Sequence, residues 1–269
     1  MVRLVALFSL LVTTLSSLVP AEDLRVYTAV NDLSDPAGTR RVVARSLTLF
    51  HGGRVYDYME AFGELVIFEP LNDRFVLIRG EAACIVSFDE LKRLLHVADT
   101  EAQKYVARLP ANSARALRLR DQLAFQLKPA FQRTVSSDGT RLALSGTEFS
   151  YDVRGTQQVS PEVLGQYLDY TDWAARLNTV LHDQAMFPAP RESLNKSLRE
   201  ANLLPTAVTL TGRDANGMRM RADHEYRWEL QTLDRDMIHQ WEQLRESDEL
   251  QWVTFREYQQ RLLTAANGR

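Results

Sequence analysis

Residues 217–230, GMRMRADHEYRWEL, hold the sharpest candidate chemistry in the chain. His224 stands there among Met218, Met220, Tyr226 and Trp228. An imidazole titrates close to neutral pH, so a histidine in a concave site can act as acid, base or ligand contact. The same histidine also suits a packed interior, its ring hydrogen-bonded to a tyrosine hydroxyl or a backbone carbonyl. Met218, Met220, Tyr226 and Trp228 carry a similar pair of readings. They either fill a core or line a cavity where thioether and aromatic surfaces hold an apolar ligand and polar tips orient it.

Other chemistries find less support. The five histidines, His51, His96, His182, His224 and His239, form no H-x-H or H-E-x-x-H pattern, so no metal site is expected. There is no G-x-S-x-G elbow, no dinucleotide fingerprint and no Walker loop, and no cofactor is expected. Ser193-Leu194-Asn195-Lys196 matches S-x-x-K but lacks the motifs that accompany it in serine hydrolases, and reads as the polar face of a short helix. Asp234 and Asp236 suit the start of a helix, where carboxylates complement the dipole. The single cysteine, Cys84 in AACIV, cannot form an intramolecular disulfide and reads as a small buried hydrophobe. With 32 basic against 35 acidic residues, the chain lacks the basic excess of a nucleic-acid binder.

The elements must position these groups. From 217 to 230 apolar or aromatic even positions alternate with charged odd ones, which predicts a strand about 40 Å long at roughly 3.3 Å per residue. Twist accumulates along such a strand, implying a strongly curved sheet or an open barrel. Residues 24–86 read as a β-meander with a hairpin turn at Gly52-Gly53. Ser87 and Glu90 form a capping box that opens a helical region over 87–128, broken near Pro110. Residues 131–269 mix strands and helices, including a strong helix opened by Ser160-Pro161. The order predicts an α+β fold: a large curved antiparallel sheet, half-barrel-like, packed against several helices on one face.

The first 21 residues read as a signal peptide. Arg3 precedes the apolar run LVALFSLLV, and Val19-Pro20-Ala21 suits cleavage after Ala21. The run is too short for the ~20 apolar residues of a membrane span. The expectation is an exported protein, periplasmic or secreted, with no integral membrane segment after cleavage and a single domain over 22–269.

The hairpins LTLFHGGRVYDY and RFVLIRG, followed by the long strand at 217–230, resemble the exported bacterial lipoprotein-carrier (LolA-like) half-barrel class in strand and helix order over most of the mature chain. That resemblance implies a curved sheet wrapped around helices and an apolar ligand, and it carries no residue roles. Three functions follow as expectations. One is a protein that binds a lipid-like or other hydrophobic molecule through Met218, Met220, His224, Tyr226 and Trp228, in a cavity of at least ~300 Å³ beside their strand. Another is an envelope structural or interaction module, with 41–49 or 24–30 as exposed sheet edges. The third is a hydrolase using His224 as acid or base.

Overall fold

The computed structural model describes residues 23–35, 39–110, 112–182, 185–213 and 217–267. The expected leader, 1–21, lies outside them. Among the described residues, one sheet of twelve strands runs in the order β12-β6-β5-β4-β3-β2-β1-β11-β10-β9-β8-β7. The N-terminal meander supplies β1 (Leu24–Asp32), β2 (Arg41–His51), β3 (Arg54–Met59), β4 (Glu64–Glu69), β5 (Arg74–Arg79) and β6 (Ala82–Ser87). Later come β7 (Gln132–Val135), β8 (Arg141–Ser145), β9 (Phe149–Thr156), β10 (Leu204–Gly212), β11 (Arg219–Arg227) and β12 (Gln251–Trp252). All pairings are antiparallel except β12 with β6, which is parallel. The expected α+β architecture, with a large antiparallel sheet and several helices, is therefore present.

Among the described residues six α-helices accompany the sheet: α1 (Phe88–Arg108), α2 (Ala114–Leu127), α3 (Pro161–Leu181), α4 (Ala189–Ala201), α5 (Thr232–Glu246) and α6 (Phe255–Asn267). Their starts follow local chemistry. The Ser87 and Ser160 side chains accept the N–H groups of Glu90 and Val163, and Pro161 occupies the first turn of α3 without sacrificing a hydrogen bond. Asp234 accepts the N–H of Gln231 and pairs with Arg25 at 3.1 Å, fixing the start of α5.

Strand alternation sends side chains to two cores. The inner face carries Leu24, Val26, Phe50, Val66, Phe68, Phe75 and Leu77 against residues of α1, α3, α4 and α6. The outer face carries Leu49, Tyr56, Ile67, Val76 and Ile78 against Leu230, Ile238 and Leu250, with Trp241 and Leu244 packed on them. Helices thus cover both faces, not one: α5 closes the outer face of the meander. All six residues of β4 are buried, which is why ELVIFE reads as a nearly continuous apolar run. Cys84 is buried as expected, and burial pushes its thiol up to about 12.

Three expectations need correction. The predicted strand over 217–230 is only Arg219–Arg227, about 30 Å long. Past Arg227 the chain leaves the sheet, so Leu230 joins the outer core rather than sharing a face with Met218. Alternation in sequence cannot register that exit, because Trp228 and Leu230 keep the apolar period going. Finally, the expected edges at 24–30 and 41–49 are interior: β1 lies between β2 and β11, and β2 between β1 and β3. The edges are β7, whose four residues are all exposed, and the two-residue β12.

Candidate functional site

Helix α3 lies along the inner face and leaves a hollow on either side of Tyr170. The first is a cleft of about 560 Å³. Phe50, Val55, Phe68, Leu71 and Trp173 give it an apolar lining, and His51, Arg54, Asp169, Asp172 and Arg176 add charged or polar groups. The β2–β3 hairpin shapes one side. Gly52 and Gly53 both have positive φ, +58° and +75°, which glycine adopts without strain and which a two-residue hairpin turn requires. Trp173 stacks on Phe88 with ring centroids 3.8 Å apart, and the Arg176 guanidinium lies 4.8 Å over its ring. Leu71 projects almost freely, 90% exposed, from the turn between β4 and β5.

The second hollow is a crevice of about 220 Å³ lined by Val26, Thr28, Ser46, Thr48, Asp57, Tyr167, Asn178, Arg191 and His224, among others. Its floor follows from strand register. Thr28 pairs with His224 on one side and Ser46 on the other, and Thr48 pairs with Asp57, so polar residues sit side by side on an otherwise apolar face. Asp57 accepts hydrogen bonds from Thr48 at 2.9 Å and Tyr170 at 2.7 Å. Burial raises its pKa against the pull of those two bonds. Tyr170 therefore divides the hollows: its ring meets Phe50 and Phe68 at 5.9 and 5.7 Å, while its hydroxyl holds Asp57.

The residues singled out in sequence separate here. His224 and Tyr226 face α3, each meeting the ring of Tyr167 edge-on. The Tyr226 hydroxyl donates to the Pro205 carbonyl at 2.6 Å. Trp228 stacks on Tyr226 but is 49% exposed, and borders an open surface hollow at the end of β11. Met218 and Met220 are half-buried, and neither lines the cleft or the crevice. The hollow that adjoins β11 through His224 is smaller than the ~300 Å³ expected of it.

His224 Nδ1 lies 2.9 Å from Thr28 Oγ1, while Nε2 is closed to solvent and has no partner among the described residues. Burial, then the nearby Arg191 charge, lowers its pKa to about 4 against the smaller opposing pull of Asp223. Among the described residues the ring's hydrogen-bond partner is the Thr28 hydroxyl, and no carboxylate is hydrogen-bonded to it. The shift carries a stability signature. A histidine depressed in the folded state contributes fully above its unfolded value near 6.5, and the contribution is lost as pH falls toward 4. Urea unfolding of wild type should therefore lose on the order of 3 kcal/mol across that window through this group. His224→Gln should flatten this part of the profile; an unchanged profile would contradict the buried, neutral assignment.

Sequence reasoning missed the cleft. Phe50, Val55 and Phe68 read as ordinary strand alternation, and Trp173 as one position on a broad helical face. The crevice had a signal: Thr28, Ser46, Thr48 and Asp57 occupy inward positions where aliphatic residues would pack. It becomes readable only once register sets them side by side.

No protein-family model matches the chain, and no curated protein matches it. Among solved structures the chain is similar to a LolA superfamily protein from Nitrosomonas europaea, at 8% identity and a TM-score of 0.30, covering 81% of this chain and 90% of that one. A likeness at that level leaves residue roles to the chain's own geometry.

Proposed function

We propose that the protein binds a hydrophobic molecule in the cleft between the β2–β3 hairpin and α3. The observation that supports this is the cleft itself: about 560 Å³, lined by Phe50, Val55, Phe68, Leu71 and Trp173 and bordered by charged groups. This is the size and character of a small-molecule site, with an apolar body for affinity and a few polar groups for orientation. His224 and Tyr226 belong to the neighbouring crevice wall in this reading, and Met218, Met220 and Trp228 to its outer flank. Residues 1–21 act as the export leader in the same proposal. No described helix is long and apolar enough to cross a membrane.

The test is titration of the purified protein with N-phenyl-1-naphthylamine, a neutral apolar fluorophore, followed by displacement with methyl dodecanoate. Saturable binding is expected. Leu71→Asp, at an exposed lip where folding is not at stake, should weaken binding about tenfold by removing apolar contact and adding charge. Trp173→Ala should weaken it by a similar factor. Absence of saturable binding, or affinity unchanged in both variants, would overturn the proposal.

A further inference from the structure

Arg191 is set up as a receptor without an ion-pair partner among the described residues. It stands in the first turn of α4 and lines the crevice on the opposite side of Tyr170 from the apolar cleft. Its Nε donates to Asn195 Oδ1 at 3.1 Å. Asn195 is wholly buried and is itself clamped, donating to Thr171 Oγ1 at 3.0 Å and Asp172 Oδ1 at 2.6 Å. Arg191 forms no ion pair among the described residues, unlike Arg176 and Arg199 on the same pair of helices, which reach Glu192, Asp169 and Asp172. The guanidinium is held at Nε by a preorganised chain of hydrogen bonds, and its two terminal nitrogens have no acceptor among the described residues. Its charge reaches the inner face, where it bears on His224, Tyr226 and Tyr151.

The rest of the crevice complements it. Ser46 and Asn178 line the same space, and neither side chain has a hydrogen-bond partner among the described residues. The one carboxyl present, Asp57, already accepts from Thr48 and Tyr170. Polar groups at inward strand positions cost stability relative to the aliphatic residues that would fill them, and such departures from local packing rules concentrate at functional sites. A planar guanidinium with two free nitrogens matches the paired oxygens of a carboxylate or phosphate better than any other ligand group.

We infer that this crevice binds an oxyanion group, a carboxylate or phosphate, through the terminal nitrogens of Arg191 with Ser46 and Asn178 beside it. The site stands on these residues alone and does not require the neighbouring cleft to be filled. The oxyanion has two sources: a small free anion, or the head of a molecule that also carries an apolar tail.

Calorimetric titration of the full chain separates them with four probes: inorganic phosphate, hexanoate, dodecanoate and methyl dodecanoate. Wild type should bind at least one of the three anions, and Arg191→Met should weaken that binding tenfold or more. Arg191→Lys, which keeps the charge without the planar fork, should fall between the two and distinguishes lost recognition from a lost fold. Ser46→Ala should cost a few-fold. Dodecanoate binding far more tightly than hexanoate would identify a tailed ligand; equal affinities, or phosphate alone, would identify a free anion. The inference is overturned if no anion binds wild type, or if Arg191→Met binds anions as wild type does. Methyl dodecanoate reports the apolar cleft independently. Its binding with no anion response would leave the cleft reading standing and this one fallen; anion binding without it would do the reverse.

Discussion

Glu69→Ala should lower the free energy of unfolding by about 3–5 kcal/mol, the range for removing one partner from a buried ion cluster. Glu69 is 1% exposed at the end of β4 and faces three arginines. Arg74 lies 2.6 Å away, Arg245 of α5 2.8 Å and Arg54 3.1 Å. Arg245 and Arg54 also reach Glu242 on α5, which accepts the Tyr56 hydroxyl at 2.6 Å. One carboxylate thus ties strands β3, β4 and β5 to the helix covering the outer face. Its removal leaves three guanidinium groups crowded with only Glu242 to balance them. Burial pushes the Glu69 pKa up, but hydrogen bonds and charges from Arg74 and Arg245 outweigh it and hold the carboxyl below its ordinary range. The sign follows: the contribution is complete above the unfolded value near 4.5 and is lost as pH falls through the lower folded value. Urea denaturation should show a reduced midpoint at neutral pH and a smaller gap between variant and wild type in acid. A variant as stable as wild type would mean the cluster contributes only as a surface ion pair does.

Phe68→Ala should cost about 3–5 kcal/mol and also alter ligand binding, a combination few core positions offer. Its ring lies 5.2 Å from Phe75, 5.5 Å from Phe88 and 5.7 Å from Tyr170, while one side lines the apolar cleft. Truncation joins the vacated space to the cleft, so the lost aromatic contacts cannot be recovered by simple collapse. Because a ligand that binds only the folded state stabilises it by mass action, an apolar ligand filling the enlarged cleft should restore part of the loss. Thermal unfolding of wild type and variant, with and without methyl dodecanoate, measures both effects. A loss below about 1 kcal/mol would contradict the close packing of this ring.

Most of the element order was legible because local chemistry marks it. Ser87 and Ser160 announce helices, Gly52-Gly53 a hairpin, and the alternating strands their burial. What escaped depends on pairing between distant segments. The sequence cannot say that β11 inserts beside β1, so it gives no reason to place His224 against Thr28 or to treat 24–30 as interior. Nor does it show that the chain crosses to the outer face after Arg227, which carries Leu230 and α5 away from the face holding His224. The candidate site was legible in part. The alternation of its strand marks His224, but Arg191 is one of several charges on a short amphipathic helix and Asp57 one acidic residue among 35 in the sequence. Their meaning comes from Asn195, Tyr170 and strand register, none of which has a local signature.

The pairing of β1 with β11 also constrains how the chain reaches this structure. Thr28 and His224, opposite each other in that pair, are 196 positions apart. Strands β2 to β6 find their partners within a few residues of tight turn and can zip together early. One side of β1 must instead stand open until nearly the whole chain is available, because closing so long a loop is entropically expensive and rewarded only at the end. During synthesis this side of β1, interior in the finished sheet, is thus a raw edge, open to pairing with other molecules. A seam inside the native sheet is thus among the late ones to be sewn, and it stands exposed to aggregation beforehand.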